Sequence, residues 1–328
     1  MILVTGGTGF LGSYLIRALV AAGKPVRALY RQQPSPRLED ISDKIEWIQG
    51  DILDVCSLED AMAGVTQVYH CAAVVSFQAD ARERLMKINV EGTANVVNMA
   101  LDAGVRKLLY VSSVAAIGRA KEGAEINEDC EWEDNKNNSR YAISKFQGEM
   151  EVWRGIAEGL DAVIVNPSII LGAGFWDDGS GTLLKNAWKE FPYYTTGVNG
   201  FVDVEDVVKA MILLMDSDIQ AERFILSADN WDYRQLFTTM AHSFGKKPPH
   251  IAAKPWMAEV VWRVEKVKGM LTGKRSVVTK ETARTAQLKV YYSNRKLLDA
   301  LPEFRFRPLE DTIQHIAAAF LQERTSGQ

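Results

Sequence analysis

Tyr141-Ala142-Ile143-Ser144-Lys145 sets a phenol four residues before an ammonium, and on a helix that spacing puts both on one face, a turn apart. The pair suits proton transfer. A tyrosine acting as general acid or base near neutrality must lose about 3 units from its free value near 10, roughly 4 kcal/mol. One ammonium at ~5 Å, with an effective dielectric of ~20, contributes about 3.3 kcal/mol of this. A hydroxyl must also hold the oxygen on which charge develops, and Ser112-Ser113, ending the apolar run Leu108 to Val111, carries one. A second Tyr-x-x-x-Lys, Tyr292 to Lys296, lies far down the chain and reads as a solvated helix edge.

The first residues supply a different chemistry. Thr5-Gly6-Gly7-Thr8-Gly9-Phe10-Leu11-Gly12 follows a short apolar run and opens an amphipathic stretch. Gly6, Gly9 and Gly12 permit a tight turn, close backbone approach to a pyrophosphate and close helix-on-strand packing, with Phe10 and Leu11 starting a helix whose N-terminus faces the anion. A nucleoside-triphosphate loop fits worse, because Ser13 stands where its lysine belongs. After the second apolar run the chain reads Ala28-Leu29-Tyr30-Arg31, with no acid to accept a ribose 2′-hydroxyl. A guanidinium there pairs with a 2′-phosphate. NADP(H) is the expected cofactor and NAD(H) the second choice.

These groups need elements to hold them. Ile2 to Val4, Val26 to Leu29, Gln67 to His70, Lys107 to Val111 and Ala162 to Val165 alternate with helical patterns, which means βαβ units and a parallel sheet. The expected fold is α/β: a Rossmann-type doubly wound sheet with a smaller, mainly helical C-terminal substrate lobe. We place the nucleotide-binding domain at 1–171 with 200–226, since Phe201 to Val208 reads as a return to the sheet and Arg223 to Leu226 as a late strand. The lobe takes 172–199 with 227–328. Hydrophobic residues make up 47% of the 328 and charged residues 24%, the balance of a packed soluble protein. The net charge of −4 gives no overall attraction to nucleic acid. Cys56, Cys71 and Cys130 have neither zinc spacing nor an even count for disulfides, which fits a reducing, cytoplasmic setting. No metal is expected. The start at Met1 leaves no room for a signal segment, and no apolar run is long enough to span a bilayer.

Taken in order, Thr5 to Gly12, Gly50 to Asp54, His70 to Ala73, Asn89 to Thr93, Ser112-Ser113, Tyr141 to Lys145, Asn166-Pro167-Ser168 and Phe201 to Asp206 resemble the extended short-chain dehydrogenase/reductase family. The resemblance covers Met1 to about Val208. It implies that Ser113 and Tyr141 contact the reacting oxygen and that Lys145 holds the nicotinamide ribose and lowers the tyrosine pKa. It further implies that Asp51 reads the adenine, that Ile52, Ala72, Ala73 and Pro167 bind the cofactor, and that the protein is a homodimer. Asn89 is open between ordering the active-site backbone and starting a helix. Ser112 to Gly118 lacks the acid of sugar-nucleotide dehydratases, and Asn199 replaces the arginine many sugar-nucleotide members carry. The chain is most similar to the dihydroflavonol reductase, cinnamoyl-CoA reductase and 3β-hydroxysteroid dehydrogenase branch. That implies hydride transfer to or from a carbonyl or alcohol carbon of a mainly apolar small molecule. Val75, Ser76, Phe77, Ile117, Phe175 and Trp176 are candidates for its wall. Two alternatives stand beside this one: a nucleotide-sugar epimerase with tightly bound NAD, and a nonenzymatic NADP(H)-binding sensor.

From Lys254 to Lys296 eleven basic residues face three glutamates, a local charge of +8. Trp256, Val260, Val264, Val267 and Leu271 share an apolar face beside Arg263, Lys266 and Lys268. Three readings stay open for this stretch: a solvated helix packed on the lobe, a lid or anion clamp, and a membrane-surface contact.

Overall fold

Each apolar run that the alternation marks as a strand lies in one sheet. The structure is a computed structural model that describes residues 1–78, 80–118, 124–134, 138–176, 179–254, 256–257, 262–263 and 285–326. Most of the basic stretch, with Val260, Val264, Val267, Leu271, Lys266 and Lys268, falls outside the described residues. The chain opens with β1 (Ile2–Thr5), α1 (Phe10–Ala21), β2 (Val26–Tyr30), β3 (Ile45–Gln49), α2 (Val55–Met62), β4 (Gln67–His70), α3 (Arg82–Met86) and α4 (Gly92–Asp102). It continues through β5 (Lys107–Val111), α5 (Arg140–Ala157), β6 (Ala162–Pro167), β7 (Ile169–Leu171), α6 (Gly181–Trp188), β8 (Tyr193–Tyr194), β9 (Val198–Asp203) and α7 (Val204–Asp216). Then follow β10 (Glu222–Leu226), β11 (Asp229–Asp232), α8 (Tyr233–Ser243), β12 (Ile251–Ala252), α9 (Arg295–Ala300) and α10 (Leu309–Ser326).

Seven strands form a parallel sheet in the order β10-β6-β5-β4-β1-β2-β3. Ile2 pairs with Val26 on one side and Gln67 on the other, so β1 is central. Leu3, Val4, Val68, Leu108, Leu109, Val163 and Ile164 have no exposed surface. Strands covered by helices on both faces read as continuous apolar runs for that reason. On one side Leu58, Val96, Val97, Ala100 and Val152 from α2, α4 and α5 close the core. The strand order reverses between β1 and β4, and the crevice beyond their carboxyl ends is where such sheets take ligands. The alternation missed β3, whose Ile-Glu-Trp-Ile-Gln mixes exposed and buried positions as an edge strand does.

The chain divides into two units, Met1–Gly118 with Glu131–Pro167 and Val207–Ile225, and Arg119–Cys130 with Ser168–Asp206 and Leu226–Gln328. One part of the sequence reading needs correction here. Phe201 to Asp206 does not rejoin the large sheet, because β9 pairs with β7 and β11 in a separate three-stranded sheet. Inside that second unit Asp203 Oδ2 accepts hydrogen bonds from Arg307 at 2.9 Å and Thr312 at 2.8 Å. Tyr292 also departs from expectation. It sits in an isolated bridge opposite Ile126 and not on a helix with Lys296, which belongs to α9.

Candidate active site

The glycine turn after β1 is built by crowding. Gly6 has φ +70°, and a Cβ there would lie 2.6 Å from the Ala72 amide nitrogen of the loop after β4. At Gly12 a Cβ would come within 2.2 Å of the Gly6 carbonyl oxygen. The turn is closed by Gly9 N–H donating to Gly6 O at 3.0 Å. Gly9 caps α1 without any side-chain hydrogen bond, and no acid occupies the first turn. The leading N–H groups of α1, with Phe10 and Leu11, keep their positive end for an anion. These features fit a pyrophosphate. Arg31 is exposed just beyond β2 and has no neighbouring carboxylate in sequence. Asp51 closes an Asx turn by accepting from Leu53 N at 3.0 Å, while Ile52 beside it is buried. Ala72 and Ala73 follow β4, and buried Pro167 ends β6.

Ser113 and Tyr141 come from different elements. Ser113 follows β5 and caps a short turn by accepting from Ala115 N at 3.2 Å. Tyr141 is the second residue of α5, a helix started by Ser139, whose Oγ accepts from Ala142 N at 2.8 Å. The Ser113 hydroxyl favours the ionised form of the half-buried Tyr141 phenol. Burial raises the Tyr141 pKa above the usual phenol value, and the Ser113 hydroxyl works against that rise. Burial outweighs the depression by Lys145 that the spacing predicts. Lys145 is buried, and its Nζ donates to Tyr110 Oη and to Val111 O, each at 2.8 Å. Burial pushes the Lys145 ammonium down to about 7, with the Glu149 carboxylate opposing.

The loop after β4 reaches the same place. Asn89 lies within a single π-helical turn between α3 and α4, so it starts no helix. Its Oδ1 accepts from Val74 N at 2.7 Å, and its Nδ2 donates to Val74 O and to Ser144 Oγ, each at 2.9 Å. One buried amide thereby pins the loop backbone to α5. Phe77 from that loop packs edge-on against Tyr141, ring centroids 5.6 Å apart. Below, buried His70 links Thr5 Oγ1 at 2.6 Å to Thr93 Oγ1 at 3.0 Å, and burial lowers its pKa to about 3.

The wall candidates separate. Val75 is 64% exposed and Phe77 37%, with Ser76 half-buried between them, whereas Ile117 is 4% exposed and spends its surface on the core. In the second unit Phe175 is half-buried, and Trp176 packs on Phe320 and donates to Glu323 Oε2 at 2.6 Å. Sequence reasoning overlooked Tyr110 and Glu149 as parts of the site. The latter had a signal, the continued four-residue spacing Tyr141, Lys145, Glu149.

A doubly wound sheet with an uncapped glycine turn at its reversal point defines a dinucleotide-binding protein of the Rossmann type. The description of the NAD dependent epimerase/dehydratase family matches residues 2–226, and the chain belongs to that family, among the extended short-chain dehydrogenases/reductases. It is 32% identical over 309 residues to a putative dihydroflavonol 4-reductase of Synechocystis sp., with 91% of this chain and 88% of the relative covered. It is 35% identical over 257 residues to sterol demethylase protein B of Methylococcus capsulatus, 77% of each. The solved structure of gox2253 matches with TM-score 0.84 and 31% identity over 98% of both chains. Among the described residues no cluster of three ligating side chains could hold a metal, and no helix is long and apolar enough to cross a membrane.

Proposed function

We propose that this chain is an NADP(H)-dependent reductase, or the reverse dehydrogenase, acting on a carbonyl or alcohol carbon of a mainly apolar small molecule through Ser113, Tyr141 and Lys145. The carrying observation is the exposed rim of Phe77 packed edge-on against the Tyr141 ring, with the Ser113 hydroxyl favouring the ionised form of that phenol. When bound, the reduced nicotinamide supplies the hydride. Tyr141 Oη gives its proton to the substrate oxygen as charge builds there, and Ser113 Oγ donates a hydrogen bond to that oxygen. Lys145 brings a positive charge that favours the ionised phenol after transfer and offers its N–H groups to the cofactor ribose. The apolar Val75 and Phe77 exclude water from one side and receive the body of the substrate. Arg31 supports the choice of the 2′-phosphorylated cofactor, and reductase relatives support the direction of the chemistry.

The test is a panel of aldehydes, ketones, steroids, acyl-CoA thioesters and sugar nucleotides, followed by the absorbance of reduced nicotinamide with each cofactor. Apolar carbonyls turn over with NADPH, and Tyr141→Phe lowers kcat/KM by about 10²–10⁴ while leaving the fold intact. Turnover that survives Tyr141→Phe, or freshly purified protein that carries tightly bound NAD and acts only on sugar nucleotides, would overturn the proposal.

A further inference from the structure

Four residues beyond Lys145 on α5, the Glu149 carboxylate has no exposure to water. A bare charge in that place is strongly penalised, and here every approach is filled by a donor. Oε2 accepts from Ser112 Oγ at 2.6 Å and from Asn166 Nδ2 at 2.8 Å. Oε1 accepts from Arg223 at 3.1 Å and from Trp153 Nε1 at 3.4 Å. Ser112, Asn166 and Arg223 belong to the β5, β6 and β10 segments, three neighbours in the sheet, so one carboxylate ties α5 to all of them.

Asn166 passes the restraint onward. Its second amide hydrogen goes to the Ser113 carbonyl at 3.0 Å, and its buried Oδ1 has no partner. An NH2 group held between two acceptors has its orientation chosen by them. A neutral amide in place of the carboxylate presents a donor as readily as an acceptor, and the choice is lost.

We propose that Glu149 is a positioning residue for the reaction, its carboxylate fixing Ser113 through Ser112 and Asn166 and holding a charged Lys145 on the same helix face. The inference rests on the Ser113, Tyr141 and Lys145 reading above. Lys145 faces Tyr110 from β5 and His70 and Cys71 from the β4 side, and Glu149 from its own helix. His70 stays neutral above about 3, and burial pushes the Cys71 thiol up to about 12. The Glu149 charge is therefore the negative neighbour that opposes the desolvation of Lys145.

The experiment is the pH profile of kcat/KM, with the best carbonyl of the panel, for the unaltered protein, Glu149→Gln, Glu149→Asp and Asn166→Ala. If activity needs the Lys145 ammonium, it is lost as pH rises through that group's pKa. Removing the negative charge lowers that pKa, so Glu149→Gln moves the alkaline limb about 1–3 units toward acid. Glu149→Asp keeps the charge and the limb while kcat falls. Asn166→Ala keeps the charge and the limb, and lowers kcat at least tenfold, about 1.4 kcal/mol, because Ser113 loses its hold. These last two stand as the test if Glu149→Gln does not fold. An unmoved limb in folded Glu149→Gln, a moved limb in Glu149→Asp, or unaltered kcat in Asn166→Ala overturns the inference. Should Tyr141→Phe abolish turnover while the Glu149 and Asn166 variants behave as the unaltered protein, only this inference fails. Should Tyr141→Phe retain turnover, both fail.

Discussion

Asn89→Ala isolates the link between the β4 loop and α5. The side chain makes three buried or half-buried hydrogen bonds, to Val74 N, Val74 O and Ser144 Oγ. Truncation leaves those three groups behind. Each orphaned polar group costs about 1–3 kcal/mol when dry. Ser144 Oγ still donates to Tyr141 O at 2.8 Å, and half-buried Val74 can draw on water, so the low end applies and the total is about 3 kcal/mol. For a unit of 150–250 residues that corresponds to a fall in melting temperature of about 6–12 °C. The freed loop carries Phe77 away from the Tyr141 ring, so KM for an apolar carbonyl rises more than kcat falls. Thermal denaturation by circular dichroism and steady-state kinetics read the two effects. A melting temperature within about 2 °C of the unaltered protein, with KM unchanged, would refute the argument that this amide positions the loop.

Two further outcomes follow from the site. Arg31→Ala removes the charge-assisted hydrogen bonds assigned to the 2′-phosphate, about 1.5–3 kcal/mol, so affinity for NADPH drops by roughly 10–100-fold while that for NADH changes little. Titration of both cofactors by fluorescence checks it, and an unchanged preference defeats the assignment. His70, held neutral with its pKa near 3 against 6.5 unfolded, makes stability depend on acid. Between those values the unfolded chain binds a proton that the folded one refuses, so stability falls as pH drops below about 6.5 and levels off below about 3. Denaturant unfolding across this range should show a shallower acid limb for His70→Asn than for the unaltered protein; parallel limbs would contradict it.

The local patterns in this chain carry much of its architecture. Ile2–Thr5, Lys107–Val111 and Ala162–Pro167 are mainly apolar because helices cover both faces of the strands they form, and that composition is visible without coordinates. The glycine turn and the Tyr141–Lys145 spacing are likewise short-range facts, fixed by the geometry of one turn and one helix. What lies between sequence-distant groups was decided only by tertiary structure. Lys145 meets Tyr110, and Glu149 meets Ser112, Asn166 and Arg223, across separations of 17–74 residues. Phe201 and Val202 are as apolar as a large-sheet strand, yet β9 pairs with β7 and β11. Strand composition states that a segment is buried, not beside which partner, because many pairings bury the same surface. The charges follow the same logic. Spacing alone puts Lys145 near Tyr141, but whether its ammonium lowers the phenol or is itself driven toward neutrality depends on how much water the surrounding strands exclude, which is a property of the assembled fold.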